Sequence, residues 1–234
     1  RLVDRGVDAG EFEAVDNEAE ITAALKKLGY PDRKVVLKPR QGRGSRGVLI
    51  CDPSYGEFEQ LLPDRFCGVG SHDALLRVMA EEGDGFDDYL AVPFYGGPVS
   101  DVDCIARNGT LIQAAVRLRQ LKNPLWPTST GHKIHMDPRV IEHARALCAA
   151  FDIDGAGDFD IVIDDDGKAK LLDAGARFSG SVGGSYTAGA NFPAQLLRSM
   201  MGLPLAPFHI DDGCVLRPYI TMARIPAANE HDLL

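Results

Sequence analysis

Asp158-Phe159-Asp160-Ile161-Val162-Ile163-Asp164-Asp165-Asp166-Gly167-Lys168-Ala169-Lys170-Leu171-Leu172-Asp173 reads as two apolar strands joined by an acidic turn. Asp166-Gly167 is a preferred pair for a tight hairpin loop. With that loop Asp165 pairs with Lys168, and counting outward sets Asp160 opposite Asp173. Alternation along a strand points both carboxylates to one face, beside Val162 and Leu171. Like charges directly opposed destabilise a sheet, so the arrangement calls for a cation between them or a proton on one. A hard divalent metal with a phosphate ligand suits two carboxylates. A surface hairpin with solvated acids fits the same residues, and a longer loop would shift the pairing.

Outward from the hairpin, Asp173-Ala174-Gly175-Ala176-Arg177-Phe178-Ser179-Gly180-Ser181 sets a guanidinium just past the carboxylate. Its rigid fork of donors suits planar or phosphate-like anions. Far upstream, the apolar strand Val35-Val36-Leu37 runs into Lys38-Pro39, then Arg40-Gln41-Gly42-Arg43-Gly44-Ser45-Arg46-Gly47, then the apolar strand Val48-Leu49-Ile50-Cys51. Three glycines in six residues let the backbone bend and bring N–H groups close to an anion. No helix follows, so neither the P-loop nor the dinucleotide fingerprint fits. Strand, glycine loop and strand make a flap over phosphates or an ordinary glycine-rich hairpin.

These pieces in this order resemble the ATP-grasp superfamily: Lys38-Pro39, a loop ending Gly44-Ser45-Arg46-Gly47-Val48, and a late acidic hairpin followed by Arg177-Phe178-Ser179-Gly180. The look is that of carboxylate–amine ligases akin to the carbamoyl-phosphate synthase large subunit. Ser185-Tyr186-Thr187-Ala188-Gly189-Ala190-Asn191-Phe192-Pro193 is similar to the stretch after that motif in short stand-alone members. The resemblance covers roughly Leu2 to Gly202. It implies an α+β ATP-grasp fold of two lobes, each an antiparallel sheet with packed helices, and a nucleotide in the cleft between them. The lobes are expected at residues 1–87, with the glycine-rich loop 40–47, and 88–234, with a hinge strand at 88–95 and the acidic hairpin at 158–173.

By the same resemblance Lys38 holds the nucleotide phosphates, and Gly42, Gly44, Ser45, Arg46 and Gly47 form the loop that closes over them. Ala91, Val92 and Phe94 belong to the hinge strand, whose backbone reads the adenine edge. Asp160 and Asp173 hold Mg2+, with Mn2+ as the alternative ion. Arg177 steadies an acyl-phosphate, and Arg117 and Arg119 face the carboxylate substrate or phosphate. The implied activity is ATP-dependent and ADP-forming: a small-molecule carboxylate is activated as an acyl-phosphate and attacked by an amine, or less often a thiol. A homodimer in the cytoplasm is expected. The alternative is a catalytically weakened nucleotide-binding module with a sensing or scaffold role.

The chain departs from the family at several positions. Asp173 stands where Glu is usual, and Gly175 where Asn is usual. Pro98-Val99 follows Gly97 where a carboxylate often stands, and Val92-Pro93 replaces the usual Gln-Glu; Pro93 also lacks a backbone donor. Relatives usually carry a further α/β domain ahead of these lobes, so a trimmed chain is expected from its start at Arg1.

Composition agrees with a globular enzyme-sized domain. The chain has 234 residues, 45% of them apolar, enough for a large core. A net charge of -9 argues against a general nucleic-acid binder. Five scattered cysteines without a C-x-x-C pair read as reduced, packing thiols. Neither an apolar run of ~18–20 residues nor a signal-peptide pattern is read, so no membrane partner is expected.

Periodicity places the elements. Ile21, Ala24, Leu25 and Leu28 have helical spacing, with Gly29 as the stop. Residues 52–82 read as short helical segments with a stripe of Leu75, Leu76 and Met79, broken at Gly83-Asp84-Gly85. Asn108-Gly109 joins two strands, the first carrying Asp101 and Asp103 on one face, which read as solvated acids, with a substrate contact as the alternative. Residues 121–135 read as a loop, with His132 and His135 on the surface. Asp137-Pro138 caps a helix buried through Ile141, Ala144, Leu147, Cys148 and Phe151. A last helix after Asn191 carries Leu196, Leu197, Met200 and Met201 inward. Ser179, Ser181 and Ser185 lack a nucleophile elbow.

Overall fold

The computed structural model describes residues 2–8, 10–42, 44–62, 66–82, 87–119, 131–207 and 209–217. Its strands are β1 (Glu13–Val15), β2 (Val35–Pro39), β3 (Leu49–Cys51), β4 (Glu59–Gln60), β5 (Gly68–Gly70), β6 (Tyr89–Pro93), β7 (Val99–Arg107), β8 (Thr110–Arg119), β9 (His132–Ile134), β10 (Gly155–Ile163), β11 (Ala169–Gly175) and β12 (Val215–Leu216). Its helices are α1 (Glu18–Lys27), α2 (His72–Glu82), α3 (Pro138–Phe151), α4 (Val182–Thr187) and α5 (Phe192–Met200). Two six-stranded sheets form, in the orders β1-β6-β2-β3-β5-β4 and β11-β10-β7-β8-β9-β12. Only the β3–β5 pairing is parallel among the described strands. This is the expected α+β architecture.

The first sheet closes on α1 and α2. Asn17 accepts from the Glu20 N–H while Glu20 reaches back to the Asp16 N–H, two donors satisfied at the helix start. Ile21, Ala24, Leu25 and Leu28 then meet Val35 and Leu37, and Leu75 and Met79 of α2 join the same cluster. The described residues of 52–62 and 66–71 differ from the expected short helices: they hold β4 and β5. Gly68 explains part of this, because a Cβ there would stand 2.4 Å from the Glu59 carbonyl oxygen. That close backbone pairing needs glycine. Residues 83–86 and 120–130, with the expected break and most of the expected loop, lie outside the described residues.

The expected hinge strand, β6, lies inside the first sheet between β1 and β2. The chain passes to the second sheet between Pro93 and Val99. There the Asn108-Gly109 turn has both residues at positive φ, 47° and 76°, as a two-residue hairpin demands. One face of this sheet packs on α3, through Val102, Cys104, Val116, Phe159 and Ile161 against Ala144, Leu147 and Cys148. The other face is partly covered by the segment after β11 and by α5, which bring Phe178, Ala190 and Phe192 onto Ile105 and Ala115.

Burial on both faces of β7 overturns one expectation. Asp101 and Asp103 are 1% and 0% exposed, not solvated, because both faces of β7 are buried. His132, expected on the surface, lies in β9 and is 5% exposed. The helix after Asn191 also differs. Phe192 and Gln195 are its buried residues, whereas Leu197, Met200 and Met201 are 60%, 70% and 71% exposed. The sequence carries two apolar stripes there and only one meets the sheet. All five cysteines are free, four of them buried. Among the described residues no helix is long and apolar enough to cross a membrane.

Candidate functional site

The acidic hairpin holds Asp160 opposite Asp173, by a different route from the tight loop. Its loop has three residues. Gly167 donates to the Asp164 carbonyl, Asp164 and Lys168 pair through N–H to O, and Gly167 takes a φ of 78°. Asp164 Oδ1 also accepts from the N–H groups of Asp166 and Lys168. The longer loop shifts the pairing by one residue, so Ile161 faces Leu171 and Val162 faces Lys170. A bulge at Leu172 shifts it back, restoring the Asp160–Asp173 pair. Leu171 therefore packs with Ile161 against the α3 core, not beside Asp160, since a one-residue slip reverses the face.

The bulge has a second effect. Leu172 is left out of the ladder, and its carbonyl accepts from Lys38 Nζ at 2.5 Å. Lys38 comes from β2, so this bond ties the two sheets. Burial pulls the Lys38 ammonium below its ordinary range, and Asp173 and Asp160 pull it back. Next to Lys38 the glycine loop joins β2 to β3, with Gly44, Ser45 and Gly47 at positive φ. A Cβ at Gly47 would lie 2.6 Å from Pro39 Cγ, so conformation and space both select glycine there.

Between the sheets lies a cavity of about 1030 Å³. Lys38, Gly42, Gly44, Ser45 and Arg46 line one side, Val92 and Phe94 another, and Arg119, Asp160 and Asp173 the floor. Val36, Ile50 and Val92 make its apolar wall. Such a pocket, mostly apolar with a few convergent charges, has the size of a ligand site. The lining omits four expected residues. Gly47 sits behind the loop against Pro39. Ala91 is 0% exposed in the first core, and Arg117 is 0% exposed in the second lobe. Arg177 is exposed beside the sheet, where it donates to Asp158 Oδ2 at 2.5 Å and to the Phe178 carbonyl at 2.9 Å. Near the expected base contact, Pro93 has no N–H, and the Phe94 N–H is donated to the Lys34 carbonyl at 3.0 Å.

Two ionic clusters share the inner face of the second sheet. In the first, Arg117 pairs with Asp103, and three hydroxyls close around them. Arg117 donates to Ser185 Oγ at 2.6 Å, Ser179 Oγ at 2.6 Å and Ser181 Oγ at 3.2 Å. Asp103 Oδ1 accepts the Ser179 N–H at 2.7 Å. In the second, Arg119 donates to Asp160 Oδ2 at 2.7 Å and lies 2.5 Å from Asp101 Oδ1, while His132 Nε2 is 3.0 Å from Asp101 Oδ2. Burial and the Asp101 carboxylate push Asp160 up to about 8 against the pull of Arg119. Burial acts the same way on Asp101, yet His132, Arg119 and Arg117 hold it at about 2. Burial and Asp103 push Asp158 up to about 6, opposed by Arg177.

Asp101, Asp103, His132 and the three serines were missed as parts of these clusters. The available signal was parity: Asp101, Asp103, Arg117 and Arg119 leave neighbouring antiparallel strands on one face. What covers that face comes from residues 179–185, far away in sequence.

Residues 85–218 match a family model described as "ATP-grasp in the biosynthetic pathway with Ter operon". No curated protein matches the sequence. Among solved structures, the fold is similar to the L-amino acid ligase of Bacillus licheniformis, at 16% identity over 85% of this chain and 44% of that one, with a TM-score of 0.57. It is similar to the carboxyaminoimidazole ribonucleotide synthase of Aspergillus clavatus complexed with ATP, at 17% identity over 88% and 50%, with a TM-score of 0.64. The biotin carboxylase domain of the Hydrogenobacter thermophilus 2-oxoglutarate carboxylase, in complex with MgADP and bicarbonate, is similar at 17% identity over 87% and 44%, with a TM-score of 0.63. The chain spans about half the length of these structures.

Proposed function

The chain belongs to the ATP-grasp family, and on that premise we propose that it is the nucleotide-binding part of an ATP-dependent, ADP-forming ligase joining a small-molecule carboxylate to an amine. The observation that carries the reading is the convergence of Lys38, the glycine loop and the Asp160–Asp173 pair on one cavity between two sheets. The proposal keeps two lobes but moves their boundary from the expected 87/88 to the passage between Pro93 and Val99, because β6 pairs within the first sheet. It keeps a homodimer as the assembly and the cytoplasm as the compartment.

The triphosphate lies under the loop, against Lys38, with the base toward the apolar wall of Val36, Ile50 and Val92. A substrate carboxylate oxygen attacks the γ-phosphorus, the bond to the bridging oxygen breaks, and ADP leaves. The amine then attacks the acyl carbon, phosphate departs, and the amine proton is released. Lys38 and Arg119 neutralise oxygens that gain charge, and Arg177, which pairs with Asp158 outside the cavity lining, turns in to steady the acyl-phosphate. The protein's work is positioning and charge compensation. Asp160 and Asp173 fit Mg2+ or Mn2+, being hard oxygen donors facing each other on the cavity floor. Among the described residues no group of three or more His, Cys, Asp or Glu is placed to hold a metal. This suits an ion that keeps several waters and phosphate oxygens. Bound there, magnesium would offset the phosphate charge.

Lys38→Ala and Asp160→Asn test the reading. Both are expected to abolish ADP release across a panel of carboxylates and amines while the fold stays intact. Mg-ATP at ~100-fold excess over its Kd is expected to stabilise the wild type by about 2.7 kcal/mol. Full activity in both variants, or no nucleotide stabilisation of the wild type, overturns it. Gly175, where the family usually has Asn, favours a second reading as a binding module with weakened catalysis. ATP binding without ADP release from any substrate pair would select it.

A further inference from the structure

On the cavity floor one guanidinium is shared unequally between two carboxylates. The terminal nitrogen of Arg119 donates its hydrogen bond to Asp160 Oδ2 at 2.7 Å. The same nitrogen stands 2.5 Å from Asp101 Oδ1, yet among the described residues that buried oxygen receives no aligned hydrogen bond. Arg119 Nε is also buried without a partner among the described residues. The other Asp101 oxygen is engaged by His132 Nε2 at 3.0 Å. The Asp101 and His132 side chains are 2% and 6% exposed, and that of Arg119 is 11% exposed. A fixed carboxylate is thus held beside a donor that points elsewhere.

The arrangement matters because Asp160 has two claimants. A cation between Asp160 and Asp173 and the Arg119 guanidinium compete for one carboxylate, and their positive charges repel at this range. Without another acceptor, Arg119 would stay on Asp160. We propose that Asp101 and His132 are positioning residues for Arg119. When a divalent cation takes Asp160, Arg119 turns its hydrogen bond to Asp101 Oδ1 and keeps its remaining donors toward anions in the cavity. His132 holds Asp101 so that this oxygen stays in place. The inference rests on the reading of Asp160 and Asp173 as the metal pair.

The test is a Mn2+ titration of the full chain with a non-hydrolysable ATP analogue, free Mn2+ being read by electron paramagnetic resonance. Arg119→Gln removes the competitor and is expected to tighten Mn2+ binding. Asp101→Asn removes the alternative acceptor's charge and is expected to weaken it about tenfold, in the range of outer-shell partners of metal sites. His132→Ala is expected to weaken it in the same direction, and His132→Gln, which keeps a donor, to restore most of it. In the Arg119→Gln background the Asp101→Asn effect is expected to vanish. Unchanged Mn2+ affinity in Asp101→Asn and His132→Ala overturns the inference, as does an Asp101→Asn effect that persists without Arg119. Failure of the wild type to bind Mn2+ with the analogue removes the metal pair itself, a result distinct from normal binding that the variants leave unmoved. Should Asp101→Asn not fold, the two His132 variants and Arg119→Gln still decide.

Discussion

Arg117 and Arg119 leave β8 on the same face, two residues apart, and each finds an aspartate of β7. Arg117 and Asp103 are both 0% exposed, and Ser179, Ser181 and Ser185 supply hydroxyls that turn to suit either ion. Arg119 lines the cavity and lies between two acids, donating to Asp160 with Asp101 close by. The residue types are nearly the same, so the cover decides the difference. The segment after β11 lies over the first pair and stops short of the second. A closed ion pair fixes that segment to the sheet, while an open one keeps donors within reach of a ligand. The comparison separates Arg117, a strut, from Arg119, a contact.

The sharpest way to break this comparison is to truncate each arginine in turn. Arg117→Ala strands the Asp103 charge among hydroxyls with no route to water. It is expected to cost about 3–5 kcal/mol of stability, the usual result of breaking a buried pair. Replacing both partners with apolar residues, Arg117→Met with Asp103→Leu, is expected to recover much of that loss. Arg119→Gln leaves Asp160 near the cavity and is expected to cost only about 1 kcal/mol. Urea unfolding measures all three. Equal losses for Arg117→Ala and Arg119→Gln would show that cover does not distinguish the two clusters.

The same distinction explains what could be read in the sequence. Local signals were legible: the stripe of α1, the Asp137-Pro138 start of α3, the Asn108-Gly109 turn and the opposed Asp160 and Asp173. Each depends on residues within a turn or a hairpin of one another. Asp101, Asp103 and His132 misled because an alternating strand shows parity, not what lies on either face. The hydroxyls over Arg117 arrive from more than 60 residues downstream. The hairpin register carried its own lesson. The two-residue loop was wrong by one, and an unforeseen bulge at Leu172 cancelled the slip at the carboxylates while reversing Leu171.

A smaller effect sharpens the contrast by addition. At Gly175 a Cβ would lie 3.6 Å or more from Arg177, an ordinary contact, and its φ is not in the left-handed range. Gly175→Asn is therefore expected to fit. Position 175 stands two residues past Asp173 and opposite Asp158 on β10, and the amide oxygen is expected to reach toward the Asp160–Asp173 pair as a further metal ligand. Tighter Mn2+ binding with the ATP analogue is expected, with stability changed by less than about 0.5 kcal/mol. At the closed cluster a Cβ at Gly184 would lie 3.4 Å from Arg117 Cδ, the near edge of ordinary contact. A loss of stability in Gly175→Asn without any gain in metal affinity would show that the open cluster is as fully packed as the closed one.

The smallest effect comes from a pair between these extremes. Asp52 is buried in the first sheet's lobe, with its side chain 4% exposed, but its partner Lys34 is 48% exposed at 2.5 Å. Burial acts to raise the Asp52 carboxyl. Lys34, with the Ser54 N–H at 3.0 Å and hydroxyl at 2.7 Å, outweighs it and brings the carboxyl below its ordinary 3.8. Folding therefore favours the ionised form, and the stabilisation is present above about pH 4 and lost as pH falls through the folded value. Asp52→Asn is expected to cost about 1 kcal/mol at neutral pH, the scale of a pair with one solvated partner. That cost should shrink in acid and in high salt, because the Lys34 end is screened. The Arg117→Ala cost should persist in salt, since no ion reaches that pair. Salt sensitivity measured on both variants thus ranks the pairs by how far water reaches their charges.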